Sequence, residues 1–229
     1  MAGVRPHMPQ PLDSRYPQPI RELWASLYAD VVWLHGRWII YRQLFGTNEA
    51  RVQLLNETAG TVAWMLQQSL LHDVQISLSK LGDPAGSGSR TNLTLHTLVA
   101  TLETAGENEL AAKVKLLLDA FGGSCEKVRH RRNKWIAHSD LATKLSERAT
   151  PLSGPSRAEI EAALLALRNV MNAVEVHYTE SQTAYEDFVM NQDGEHLISA
   201  LARAKRYREL VTEGAIPRDD FRERFPSGV

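Results

Sequence analysis

A disulfide framework is impossible in this chain, because Cys125 is the only cysteine among 229 residues. One chain cannot build a thiolate metal site from it either, and a lone cysteine fits a reducing compartment. No stretch approaches the roughly 18 uninterrupted apolar residues of a membrane span. The first residues, Met1 to Pro6, lack the apolar centre of a secretory signal. The expectation is a cytoplasmic protein without membrane contact. An excess of one charge is also missing. Lys and Arg total 26 against 27 for Asp and Glu, a formal charge of −1. That excludes a surface coated for nucleic acid and a solvating acidic tail, but leaves room for a local basic patch. There is no Gly-rich phosphate loop and no Gly-x-Ser-x-Gly elbow. Seven of the eight histidines, His7, His35, His72, His96, His130, His177 and His196, show no paired ligand spacing with Asp, Glu or Cys. No metal site and no cofactor is expected. β alternation and internal repeats are absent too.

What remains is helical periodicity. Residues 1–18 hold four of the ten prolines and read as a mobile arm. From Pro19, Trp24, Leu27, Val31, Leu34, Trp38, Tyr41 and Phe45 recur at steps of three and four, one face of a long helix. A second helix is expected from Glu49 to Lys80, with a stripe of Leu55, Ala59, Val62, Leu66, Ser69, Asp73 and Ile76. Gly82-Asp83-Pro84 stops it, and a Gly/Ser/Pro-rich surface loop follows. A short helix, Thr94 to Ala105, ends at Gly106. A fourth, from Asn108 to Ala137, carries Leu110, Val114, Leu117, Phe121, Cys125, Val128 and Trp135, with Gly122-Gly123 inside it at about 1 kcal/mol each relative to alanine. Ser156 and Glu159 form a capping box. The fifth helix then runs from Ile160 through Leu164, Leu167, Met171, Val174, Tyr178, Ser181 and Tyr185 to Phe188, a heptad-like seam. Further helices are expected over Glu195 to Thr212 and Arg218 to Phe225. The tryptophans fall at or near core-facing positions. The fold class is all-α: an antiparallel bundle of four to five long helices with a short helical C-terminal extension. The division is an arm over 1–18, the bundle over 19–190, and the extension over 191–229, part of the same domain.

One segment carries chemistry. Lys127 to Asp140 reads KVRHRRNKWIAHSD. Lys127, Arg129, Arg131, Arg132 and Lys134 crowd one helix end, where cations are favoured by the helix dipole. Arg132 lies four residues after Val128 and three before Trp135. A regular helix therefore puts it mid-way along the apolar face, where an unpaired arginine is strongly destabilising. Asp73, on the apolar phase of its own helix, is the expected structural partner. Lys127, Arg129, Arg131 and Lys134 read chiefly as solvated surface that could steer RNA by phosphate attraction. Asn133 points away on a regular helix. Ser139-Asp140 could cap the next turn, so Asp140 is a supporting residue with Asp73. A bend after Ile136 would be needed to bring His138 over Arg132.

These residues resemble a known family. Arg132-Asn133-Lys134-Trp135-Ile136-Ala137-His138 fits the Arg-Asn, four residues, His motif of the HEPN superfamily, the higher eukaryotes and prokaryotes nucleotide-binding domain. Together with His72 to Pro84, HDVQISLSKLGDP, and the segment around Leu93, the chain resembles the abortive-infection U-type branch over roughly Pro19 to Met190. The resemblance implies a four-helix core, a homodimer through the motif-bearing face, and metal-independent RNA cleavage by a toxin or phage-defence effector held by an antitoxin or regulator. It implies catalytic roles for Arg132, His138 and Asn133. The chemistry fits those residue types. Histidine moves protons near neutral pH, and arginine offers planar donors to a phosphate. The alternative is a non-catalytic helical dimer that binds RNA, a nucleotide or a partner protein.

Overall fold

The computed structural model describes residues 14–87, 90–133 and 154–217. Helix α1 spans Gln18–Tyr41 and continues into a π turn, Arg42–Gly46. Every member of its expected stripe, Trp24 to Phe45, is buried. The stripe holds because nothing interrupts the period over its length. Before the helix, Tyr16 is also buried, stacked on Trp24 at 5.5 Å and tilted against Tyr178 at 4.9 Å.

Helix α2 spans Glu49–Leu81 and breaks its dihedrals at Ala59, with φ −154° and ψ 45°, beside Gly60. The expected stripe does not survive this kink. Val62 is 66% exposed, while Ala63, Val74, Gln75, Leu78, Ser79 and Leu81 are buried. A period projected through a kink carries the wrong angle onward. Trp64, expected as core, is 63% exposed for the same reason.

A two-residue antiparallel ladder follows, β1 (Gly86–Ser87) on β2 (Arg90–Thr91). It was not anticipated, and it is too small to alter the all-α class. Helix α3 spans Leu95–Thr104, capped by the Thr94 hydroxyl, which accepts from the Thr97 N–H at 3.2 Å. Gly106, at φ +83°, ends it as expected.

The expected fourth helix is divided. Helix α4 spans Asn108–Ser124, Cys125 interrupts it, and α5 spans Glu126–Arg131. The Cys125 N–H donates to the carbonyls of both Phe121 and Gly122, which tightens the last turn of α4. Helix α6 spans Arg157–Thr179 and carries the expected capping box of Ser156 and Glu159. It stops short of Phe188, because Glu180 is left-handed at φ 56°. Asn172 then grips the returning chain, accepting from the Thr183 N–H and donating to the Thr183 carbonyl. Tyr185 still reaches the core, but from a 3-10 turn over Tyr185–Asp187. Helix α7 spans Gly194–Thr212.

The chain forms two compact units, one from 1–38 and 71–188, the other from 39–70 and 189–229. In the first, α4 packs against both α3 and α6. Leu98, Leu102, Val114, Phe121, Leu164, Leu167, Val170 and Met171 are all but inaccessible there. Each such side chain contributes about 1.5–3 kcal/mol on burial. In the second unit the π turn holds the start of α7. Gln43 accepts from the Gly194 N–H at 3.0 Å and donates to Asp193, whose carboxylate caps α7. Arg51 meets Glu195 through two parallel bonds.

Candidate functional site

The site is built at the C-terminal end of α2. There Gly82 N–H donates to Ser79 O, Asp83 N–H donates to Lys80 O, and Pro84 forbids another turn. A helix end leaves carbonyls without partners and carries partial negative charge. Two arginines answer it. Arg129 Nη2 donates to the Gly82 carbonyl at 2.6 Å. A Cβ at Gly82 would lie 2.2 Å from that nitrogen, so any larger residue would make the guanidinium shift.

Arg132 is the second. It follows α5 in a π turn, and Nη1 donates to Asp83 Oδ2 at 2.8 Å and Oδ1 at 3.0 Å. Its Nε donates to Asn133 Oδ1 at 3.0 Å. No described residue takes Nη2. The Arg132 side chain keeps 21% of its exposure and Asp83 keeps 33%, so the pair sits at the surface edge and not in the core. The break at Cys125 resets the helical phase, which is why Arg132 is not the buried mid-stripe cation that a regular helix would make it.

The expected partner of Arg132 is therefore corrected. Asp73 pairs with Arg37 of α1 at 2.6 Å instead. The sequence places Asp83 in a helix stop and in the His72 to Pro84 segment, without a link to Arg132. Nothing in local spacing could link it to Arg132, because the two meet across 49 residues of chain. The Asp-Pro dipeptide after a helix was the available signal. Asn133 does not point away, as a regular helix had implied, but turns back onto Arg132.

The other basic residues divide. Lys127 is 69% exposed, as expected of a solvated residue, and also bonds to Glu159, which already receives the Ser156 N–H. Lys127, then Ser156, hold the Glu159 carboxyl down at about 2. Arg129 is likewise committed to Gly82. Arg131 lies over Gly154, where a Cβ would meet its Nη1 at 2.1 Å. Burial, then the charge of Arg131, lowers the pKa of His72 below its ordinary value. Lys134, His138 and Asp140 lie outside the described residues. Cys125 is buried and its thiol is pushed up to about 12, which leaves no thiolate for chemistry. Among the described residues no group of His, Cys, Asp and Glu is placed to hold a metal ion. No helix among them is long and apolar enough to cross a membrane.

A cleft of about 510 Å³ opens beside Asp83. Its walls come from α1 (Asp30, Arg37), the last turns of α2 (Asp73 to Leu81) and the Asn92–Thr94 segment. Arg132 thus stands one carboxylate away from a concave surface.

The HEPN AbiU2 family model matches residues 18–197, from the start of α1 into α7. The chain belongs to the AbiU2 family of the HEPN superfamily. No curated protein and no solved structure matches it. The family match takes in Arg132, Asn133 and His138, and equally the α2 end that holds Arg132.

Proposed function

We propose that the protein is a HEPN-type, metal-independent endoribonuclease acting as an abortive-infection effector. The observation that supports this best is the state of Arg132. Asp83 and Asn133 fix two of its three nitrogens, and among the described residues nothing takes Nη2, which leaves it for a ligand oxygen. A guanidinium held this way meets a phosphate without first losing side-chain freedom.

In the proposed reaction the ribose 2′-hydroxyl attacks the neighbouring phosphorus. The new O2′–P bond forms as the P–O5′ bond breaks. One proton leaves the 2′-oxygen and one arrives on the 5′-oxygen, and His138 is the group suited to move them near neutral pH. With two motifs meeting in a homodimer, one histidine takes a proton while the other gives one. Arg132 donates to the phosphate oxygens as charge grows on them. Asn133 keeps the guanidinium in plane. The products are a 2′,3′-cyclic phosphate and a 5′-hydroxyl.

The test is expression of wild type beside Arg132→Ala and His138→Ala, with growth scored and RNA ends mapped in EDTA. Cleavage by wild type alone supports the proposal. Intact RNA with all three proteins would sink it. One observation favours a non-catalytic reading: Asp83 already neutralises Arg132. On that reading His138→Ala changes affinity at most.

A further inference from the structure

Two of the segments that carry the family resemblance, His72 to Pro84 and the stretch around Leu93, line one wall each of the cleft beside Asp83. The third, which holds Arg132, is tied to that cleft by the Asp83 carboxylate. The cleft's chemistry is specific in kind. Ile76, Leu81 and Leu93 supply apolar surface, and Leu93 stays 41% exposed among the described residues. Asp73 is engaged by Arg37, and Asp83 by Arg132. Asn92 donates its amide to the Pro84 carbonyl at 3.2 Å and is anchored through its own backbone, which leaves Oδ1 as an acceptor. Asp30, Ser77 and Lys80 complete the polar rim.

The three carboxylates meet Arg37, Lys80 and, through Asp83, Arg132, so the cleft has no net positive charge to draw a phosphate group into it. A flat ring with polar edges fits better. Its volume lies in the range of small-molecule sites. RNA-binding proteins read splayed-out bases in such places, on their Watson–Crick edges.

We propose that this cleft is a base subsite of the ribonuclease site, and so rests on that reading. It seats the nucleobase next to the phosphate held at Arg132. Among the described residues the Asp30 carboxylate and Asn92 Oδ1 stand on its rim as acceptors for an amino group, beside donors from Lys80, Ser77 and the Arg37 Nη groups. The subsite therefore selects a base with an exocyclic amino group and disfavours a carbonyl at the same position.

The experiment is titration of the purified full chain with nucleoside 5′-monophosphates, in pairs that exchange an exocyclic amino group for a carbonyl and, with it, the adjacent ring-nitrogen acceptor for an N–H. Cytidine is set against uridine, and adenosine against inosine. The amino member of each pair is expected to bind roughly five- to tenfold more tightly. Ser77→Leu, which fills the cleft, weakens all four about tenfold or more. Asp30→Asn lies at an exposed position and can donate as well as accept, so it brings each pair within about twofold. Should Ser77→Leu fail to fold, Asp30→Asn carries the test alone. Equal affinities within pairs, no binding at millimolar concentration, or a folded Ser77→Leu with unchanged binding overturns the subsite. Discrimination in a protein that cleaves no RNA would leave the subsite standing and overturn the ribonuclease reading.

Discussion

Asp83 and Asp73 are both α2-end carboxylates paired with arginines, yet they differ in consequence. Asp83 sets where the motif arginine points. Asp83→Ala is expected to lower thermal stability by about 1 kcal/mol, the scale of a partly exposed charge-assisted pair, and, on the proposed ribonuclease reading, to abolish RNA cleavage. Asp73→Asn, at a half-exposed pair, should cost less than about 1 kcal/mol by chemical denaturation. A loss of several kcal/mol there would mean that Asp73 serves a buried network. His35 makes a separate prediction. It is buried, donates from Nδ1 to the Val31 carbonyl at 2.9 Å, and burial lowers its pKa from 6.5 to about 4. The unfolded chain then binds a proton that the folded chain refuses between those values. Stability contributed by neutral His35 is full above pH 6.5 and is lost as pH falls toward 4. Urea unfolding at pH 7 and pH 5 should differ by about 2 kcal/mol from this residue. In His35→Leu that difference disappears.

At the scale of elements, short helix α5 is fastened to the end of α2 by Arg129 and Arg132. Gly82→Ala would place a methyl where Arg129 Nη2 now lies. The expected result is a loss of about 1–2 kcal/mol, the cost of an unmade bond to a charged group, read from a thermal melt. These contacts explain what was legible from sequence and what was not. The α1 stripe and the Ser156–Glu159 box are local patterns, and both stand as expected. The division at Cys125 was not legible. Gly122-Gly123 signalled only a weak penalty, and the break falls just past them. The end of α6 was hidden because Tyr185 and Phe188 continue the heptad count while the backbone has already turned. The partner of Arg132 depends on a turn far away in sequence, which no periodicity encodes.

For the whole molecule, near-neutral charge and the fate of the basic cluster point the same way. Lys127, Arg129 and Arg132 are bound to protein groups. If RNA binds at this cluster, few of its described cations are left to release counterions. The slope of log affinity against log salt should be about −2 or shallower, since each phosphate contact on a single strand contributes about −0.7. A slope near −4 would mean that the cluster lets go of its protein partners and coats the RNA.

The second unit takes chain from both 39–70 and 189–229, so its halves are made at different times. Arg51 must wait for Glu195, 144 residues later. At about 5–20 residues per second this is a delay of roughly 7–30 s. During that interval the π turn and the first part of α2 are synthesised without the helix they hold. A nascent chain is therefore most open to chaperones, proteases and mispairing over this stretch, and release from that exposure comes only as α7 leaves the ribosome.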